Sequence, residues 1–324
     1  TDRACRRAAP RTATEALGLG LRCPRAVSHQ EQQATVHTPD LLKGITLIVF
    51  ACFILAGMDA LGKHLMQWLH PTQVVWARYT VHTLLVAALF GLQHRRAFLR
   101  PAHPWLQMVR GLCLLGVTLG MYFAIRSIPL ADATAIMFLA PVLVTLLAGW
   151  LLREPVSGLH WLALGLGFGG VLLIIRPGFS EIQPAMLLPL GSAVMLSFYF
   201  VITRYLKGRD GPATTLFHTT ASGSVVMSVL VIGFWIWPSA VQWALLVAMG
   251  FLGALGHLML IRAFHLGTAS SLSPYLNTQI LAAAIYSVWL FQDPLSAWFV
   301  IGASLIVLAG LLTWYRETHP PRVP

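Results

Sequence analysis

Apolar runs of about 18–20 residues recur along most of this 324-residue chain, and they leave few folds open. A helix of that length crosses a hydrocarbon core of ~30 Å. Inside lipid no water satisfies backbone N–H and C=O groups, so only helices and closed barrels can span. A barrel strand alternates apolar and polar residues. The runs here are continuous, as over 136–152, so the chain reads as an all-α membrane protein. Composition agrees: 57% of residues are hydrophobic and 10% charged, against roughly 25% charged in a soluble domain.

The net charge of +11 raises the question of nucleic acid, and its distribution answers it. Six of the 22 basic residues lie in the first 25 positions and most others at the ends of apolar runs. That is the pattern of topology signals, so no nucleic-acid partner is expected. Cys5, Cys23, Cys52 and Cys113 show no ligand spacing, and neither a disulfide framework, a metal site nor a cofactor is expected.

Turn residues and charge divide the chain into ten spans. They are read at 43–64, 72–92, 105–126, 130–152, 158–175, 185–206, 213–236, 241–265, 269–291 and 297–315. Residues 1–38 form a basic tail without a spanning run, read as disordered and cytoplasmic, and 318–324 a short second tail. With both termini in the cytoplasm, the inside segments hold Arg95, Arg96, Arg100, Arg110, Arg153, Arg204, Lys207, Arg209, Arg262, Arg316 and Arg322. Only Lys63, Arg126 and Arg176 fall outside, as the positive-inside rule demands. The expected location is the inner (plasma) membrane.

The chain also repeats itself. Arg153-Glu-Pro-Val-Ser157 has its echo in Gln292-Asp-Pro-Leu-Ser296, with Glu154 and Asp293 139 positions apart. Lys63 with Pro71 matches Arg204 with Pro212. Each unit, 39–180 and 181–317, then holds five spans. An odd number inserts the second unit upside down, giving ten transmembrane helices as two inverted five-helix repeats. The two acid-proline turns fall on opposite sides of the membrane and read as structural corners.

Five-plus-five helices, the opening Pro129-Leu-Ala-Asp-Ala-Thr-Ala135 and the turns Glu154-Pro155 and Asp293-Pro294 resemble the drug/metabolite transporter superfamily, EamA type. Asp59-Ala-Leu-Gly-Lys63 followed by Val75-Trp-Ala-Arg78-Tyr79 adds to the resemblance, which covers about residues 40–316. It implies a ten-helix carrier of a small metabolite, often amino-acid-like and frequently an exporter. It also implies a central cavity lined mainly by spans 1, 3, 4, 6, 8 and 9.

An ionisable group at membrane depth costs about 2.5–3.5 kcal/mol on insertion scales, so each needs a reason. Asp59, Lys63 and Arg78 are candidates for proton or ion coupling. The structural alternative is an ion pair of Asp59 with Lys63 or with Arg78 that ties spans 1 and 2. Span 9 opens with Ser270, Ser271, Ser273, Pro274, Tyr275, Asn277, Thr278 and Gln279. Of these, Ser273, Tyr275, Asn277 and Gln279 are candidate substrate contacts, with interhelical hydrogen bonding as the alternative. The matching part of span 4 offers Thr134 and Met137. Tyr199 and His257, with Arg262, are candidates to line the cavity, while Tyr122 reads as a packing residue. His160, His218 and His257 lack metal-ligand spacing. Glycines in spans 5 and 10, among them Gly165, Gly169, Gly170, Gly302 and Gly310, allow close helix approach. They read as packing within each half, or as the interface of a homodimer where a monomer is the simpler state.

No P-loop, nucleophile elbow or paired carboxylates on one helix face is present. A secondary transporter working by alternating access is expected, with lipid and a small metabolite as its partners. The alternative is an integral membrane enzyme acting on a lipid or isoprenoid. Such an enzyme needs charges clustered at one membrane face, and these are scattered.

Overall fold

Helix boundaries follow from where proline removes a backbone donor and where apolar runs end. The computed structural model describes residues 38–94, 99–152, 158–176, 184–206, 209–266 and 272–318. Among them are eleven α-helices: α1 (Thr38–Leu65), α2 (Pro71–His94), α3 (Pro104–Ile125), α4 (Leu130–Met137), α5 (Ala140–Leu152) and α6 (Gly158–Ile175). The second half holds α7 (Leu187–Leu206), α8 (Pro212–Leu230), α9 (Ala240–Leu266), α10 (Thr278–Phe291) and α11 (Ala297–Thr318). Proline opens α2, α3 and α8 at the first helical position, where its missing N–H costs nothing. The tail expected at 1–38 lies almost wholly outside the described residues, as do the Glu154-Pro155 turn and the segment 267–271.

Among the described residues, eight helical segments are long and apolar enough to cross a membrane. Spans 4 and 9 are expected as unbroken helices, and here the structure differs. Span 4 divides into α4 and α5 at Phe138-Leu139, because Pro141 lacks an N–H and its ring clashes with the carbonyl four residues back, at Met137. In span 9 a 3-10 turn, Ser273–Asn277, with Pro274 near its start, directly precedes α10. The two broken spans occupy equivalent places in the two repeats.

Exchanging the repeats (α1 with α7, α2 with α8, α3 with α9, α4/α5 with α10, α6 with α11) maps the most extensive helix contacts onto one another. α1 packs on α9 as α7 packs on α3; α2 packs on α9 as α8 packs on α3. α1 meets α10 as α7 meets α5, while α2–α8, α4–α10 and α6–α11 pair with their own counterparts. The four helices α1, α2, α3 and α9 enclose one apolar core around Met58, Tyr122, Ile125, Leu246 and Met249. A second core joins α4–α7 with α10 and α11 around Ile136, Leu139, Ile174 and Ile306. Leu84, Phe168, Val225, Ile232 and Trp289 are exposed on the outside of the bundle.

Of the glycines in spans 5 and 10, Gly170 and Gly302 join the halves, while Gly165 and Gly169 have open space beside them. A Cβ on Gly170 would stand 2.5 Å from the Gly302 carbonyl, and one on Gly302 would stand 2.6 Å from the Gly170 carbonyl. α6 and α11 therefore touch backbone to backbone. Both helices belong to the same chain, so this contact needs no second copy.

Candidate functional site

Polar side chains inside the bundle gather in two clusters, one toward each end of α3. The first lies at the C-terminal ends of α1 and α3. Arg78 Nη1 donates to Asp59 Oδ1 at 3.0 Å and to the Tyr122 hydroxyl at 3.3 Å. The Tyr122 hydroxyl in turn donates to Asp59 Oδ1 at 3.4 Å and reaches the Met249 sulfur at 3.8 Å. Asp59 and Arg78 side chains are 16% and 17% exposed, so the pair is largely desolvated. Of the two ion pairs the sequence allowed, Asp59–Arg78 is the one formed. Tyr122, expected as packing alone, is wholly buried and also completes this triad.

Lys63, one turn beyond Asp59, faces elsewhere. Its ammonium donates to Asp293 Oδ2 at 3.1 Å and to the Ile128 carbonyl at 3.1 Å, and lies 4.7 Å from the Phe291 ring centre. Asp293 belongs to the acid-proline turn of the other repeat. There Gln292 takes a left-handed conformation (φ 55°), and Asp293 N–H donates to the Ser287 carbonyl, a Schellman-type close. The Ser287 hydroxyl donates to Asp293 Oδ2 at 3.2 Å. The corner expected at Asp293-Pro294 is therefore also the seat of an ion pair between the halves. Gln73 also donates to the Ile236 carbonyl (2.7 Å) and accepts from the Ile236 N–H (3.1 Å), clasping the segment that follows α8.

The second cluster centres on Arg110 of α3, which the charge rule assigns to a membrane surface. The structure buries it, at 4% exposed. Its Nε donates to the Thr203 hydroxyl (2.6 Å), Nη2 to the Tyr199 hydroxyl (2.6 Å) and Nη1 to the Thr219 hydroxyl (2.7 Å). Nη1 also donates to the Thr215 carbonyl (3.2 Å) and Gln107 Oε1 (3.3 Å). Gln107 passes a bond on to Asp210 Oδ2 at 2.8 Å, and Asp210 Oδ1 accepts the Ala102 N–H at 2.7 Å. Topology rules count charges by position along the chain, so a charge six residues into α3 is scored like one at its end. That depth, and the hydroxyls at Thr203 and Thr219 on facing spans, are the signals that mark it.

Tyr199 thus belongs with Arg110, and His257 does not join it. His257 lies across from His82, ring centres 5.3 Å apart. Its Nδ1 donates to the Gly253 carbonyl at 2.8 Å, leaving Nε2 unprotonated in the neutral ring. His82 Nε2 is buried without a hydrogen-bond partner among the described residues.

The broken spans bring the remaining candidates near one another, since α4 packs against α10 and α1 against the Ser273–Asn277 turn. Thr134 is buried in α4, and Met137 is half-buried against the first core. Asn277 Nδ2 donates to the Pro274 carbonyl at 3.1 Å and the Thr278 hydroxyl to the Tyr275 carbonyl at 2.6 Å. These side chains serve the turn itself, replacing partners the broken helix lacks. Tyr275 is 38% exposed and Gln279 half-buried. Ser273 opens the turn, and its side chain lies outside the described residues, as do Ser270 and Ser271.

Among the described residues no group of three His, Cys, Asp or Glu side chains could hold a metal ion.

Comparison with known proteins agrees with this architecture. The model of the EamA-like transporter family matches twice, over residues 42–176 and 183–315. The S-adenosylmethionine uptake transporter of Rickettsia prowazekii is 23% identical, covering 85% of this chain and 94% of that protein. The pseudopaline exporter of Pseudomonas aeruginosa is 30% identical, covering 83% and 95%. The riboflavin transporter of Vibrio cholerae is 25% identical, covering 78% and 86%. A solved crystal structure shares the fold with a TM-score of 0.61 at 22% identity, covering 85% of this chain and 99% of its own.

Proposed function

Because the chain belongs to the EamA-like transporter family, we propose that it carries a small metabolite across the plasma membrane by alternating access. It is a membrane transporter and not an enzyme acting on lipid, in keeping with the named relatives. The observation that carries the alternating-access reading is the exchange symmetry of the helix contacts. When two halves can swap their packing, the states open to either side are made of similar contacts and differ little in energy. In the arrangement described, Lys63–Asp293 and Gln73–Ile236 tie the halves on one face. That face is closed, and opening it requires these contacts to break.

Substrate passes between the two polar clusters, beside the junction of α4 with the Ser273–Asn277 turn. Thr134, Met137, Tyr275, Asn277 and Gln279 flank that path. Asp59, held by Arg78 and Tyr122, couples transport to a proton or cation. Both termini face the cytoplasm, as the basic residues of the loops indicate. The named relatives carry S-adenosylmethionine, pseudopaline and riboflavin, compounds so different that the substrate is not transferable from any one of them.

The test is an untargeted comparison of metabolites inside and outside cells that express the protein and cells that lack it. Transport is expected to shift at least one small metabolite across the membrane. An identical metabolite distribution in both cell lines, with the protein verified in the membrane, would sink the reading.

A further inference from the structure

Arg110 and Arg78 are both buried guanidinium groups at membrane depth, and only one of them is neutralised. Arg78 has Asp59 at 3.0 Å. Arg110 has hydroxyls, a carbonyl and a carboxamide, and no carboxylate within ion-pair distance among the described residues. The nearest acid in its network, Asp210, is reached only through Gln107. With Lys63 and Pro71 matched to Arg204 and Pro212, the counterpart of Asp59 in the second repeat is Phe200, next to Tyr199. Under the same match the counterpart of Arg78 is Thr219, so the second repeat places neither member of the Asp59–Arg78 pair beside Arg110. A buried charge without an opposite charge is costly, and it persists where a ligand supplies the partner.

Counting donors narrows what that ligand is. A guanidinium has five N–H groups. Nε spends its one on Thr203, and Nη1 spends both on Gln107, Thr215 and Thr219. Nη2 spends one on Tyr199 and retains the other. The hydroxyls of Thr203 and Thr219 already donate to the Tyr199 and Thr215 carbonyls. Among the described residues the Tyr199 hydroxyl only accepts, and its own proton has no acceptor there. One Nη2–H and one adjacent O–H remain, beside a single positive charge. Two neighbouring donors with one charge match the two oxygens of a monoanionic carboxylate. A phosphate, with more oxygens and up to two charges, would leave acceptors unmet.

We propose that Arg110 and Tyr199 form a binding site for the carboxylate of the transported metabolite. The proposal rests on the transporter reading and adds the substrate class, a small carboxylate-bearing compound. The site lies about 9 Å into α3 from its start, at 1.5 Å per residue. Tyr122, twelve residues further along that helix, lies about 18 Å away, with Asp59 accepting its hydroxyl proton. A carboxylate entering from the Arg110 end is thus held while the cationic or polar remainder of the substrate points toward Asp59.

Two experiments test it. Purified protein in lipid nanodiscs is heated with sodium acetate, sodium phosphate or sodium chloride at equal ionic strength. Acetate is expected to raise the unfolding midpoint of the wild type above chloride, and Arg110→Gln to abolish the gain. A gain that persists in Arg110→Gln, no gain in the wild type, or a gain with phosphate alone each overturns the proposal. Should Arg110→Gln not fold, Tyr199→Phe keeps the ring 4.4 Å from the guanidinium and removes only the hydroxyl. It is expected to shrink the acetate gain, and an undiminished gain overturns the two-donor site.

The second experiment uses the carried metabolite found by the cellular comparison, together with its methyl ester. The KM for the acid is expected to rise roughly tenfold or more in Tyr199→Phe, the loss of about one charge-assisted bond. Transport of the ester should be weak in wild type and insensitive to the substitution. If expressing cells shift no metabolite, the transporter reading fails whatever acetate does. If they shift only compounds without a carboxylate, the transporter reading stands and this one falls.

Discussion

Asp59 and Arg78 are defined by what breaking them leaves behind. Removing one partner of a buried pair costs about 3–5 kcal/mol, because the other charge stays desolvated and alone. Asp59→Asn is therefore expected to lower stability in detergent by about that amount, and Asp59→Asn with Arg78→Gln to recover most of it. Thermal or denaturant unfolding of the singles and the double variant reads the coupling; strict additivity would mean that the pair does not interact. Transport that depends on pH in the wild type and loses that dependence in Asp59→Asn would support a coupling role. A wild-type pH profile in the variant removes Asp59 from coupling. Gly62 holds the third member in place. A Cβ there would stand 2.6 Å from the Tyr122 ring and 2.7 Å from its hydroxyl. Gly62→Ala is expected to cost about 1–3 kcal/mol by overpacking and to pull Tyr122 from Asp59. Unfolding with the wild-type midpoint would show that the ring can shift without loss.

Two elements carry the architecture, the broken spans and the α6–α11 contact. At α6–α11 the colliding atom is a backbone carbonyl, which no rotamer change can move aside. Gly170→Ala must push two helices apart, and a loss of about 1–3 kcal/mol is expected in an unfolding assay. In the Ser273–Asn277 turn, Asn277 supplies a donor to the Pro274 carbonyl. Asn277→Ala removes one such bond at about 1 kcal/mol, a loss that leaves the membrane abundance near wild type. A change in substrate affinity with abundance intact would assign Asn277 a contact role as well; unchanged affinity would leave it a turn residue. The existence and spacing of these helices were legible from apolar run length. The breaks at Pro141 and Pro274 were not placed, because a proline within a spanning run is compatible with a continuous kinked helix. Only the neighbours that accept the freed backbone groups decide otherwise.

At the scale of the molecule, Lys63 and Asp293 join halves 230 positions apart. Reversing the pair tests its part in the transport cycle. Lys63→Glu or Asp293→Lys alone should slow flux, and the two together should restore a large part of it, measured with the same metabolite. Failure of the double variant to exceed both singles would make the contact incidental. Topology is open to an equally direct check. Ten crossings place both ends on one side, so Lys43→Cys and Tyr315→Cys, in a background lacking other cysteines, should react with an impermeant maleimide from the same side. Labelling from opposite sides would contradict the ten-span count.

By itself the sequence determined the class of fold: its unbroken apolar runs admit only spanning helices, and its two acid-proline turns mark a duplication with an odd number of spans per unit. These are local properties, written in hydropathy and in residues that restrict the backbone. The pairing of charges was decided only by the tertiary structure. Asp59 had two basic residues within reach along the chain and took Arg78; Lys63 found its acid in the other repeat; Arg110, scored as a surface charge, proved buried among hydroxyls. The physical reason is that desolvation and ion pairing depend on which helices meet. For Lys63 and Arg110 the partners come from the opposite half, at sequence separations that no local pattern records.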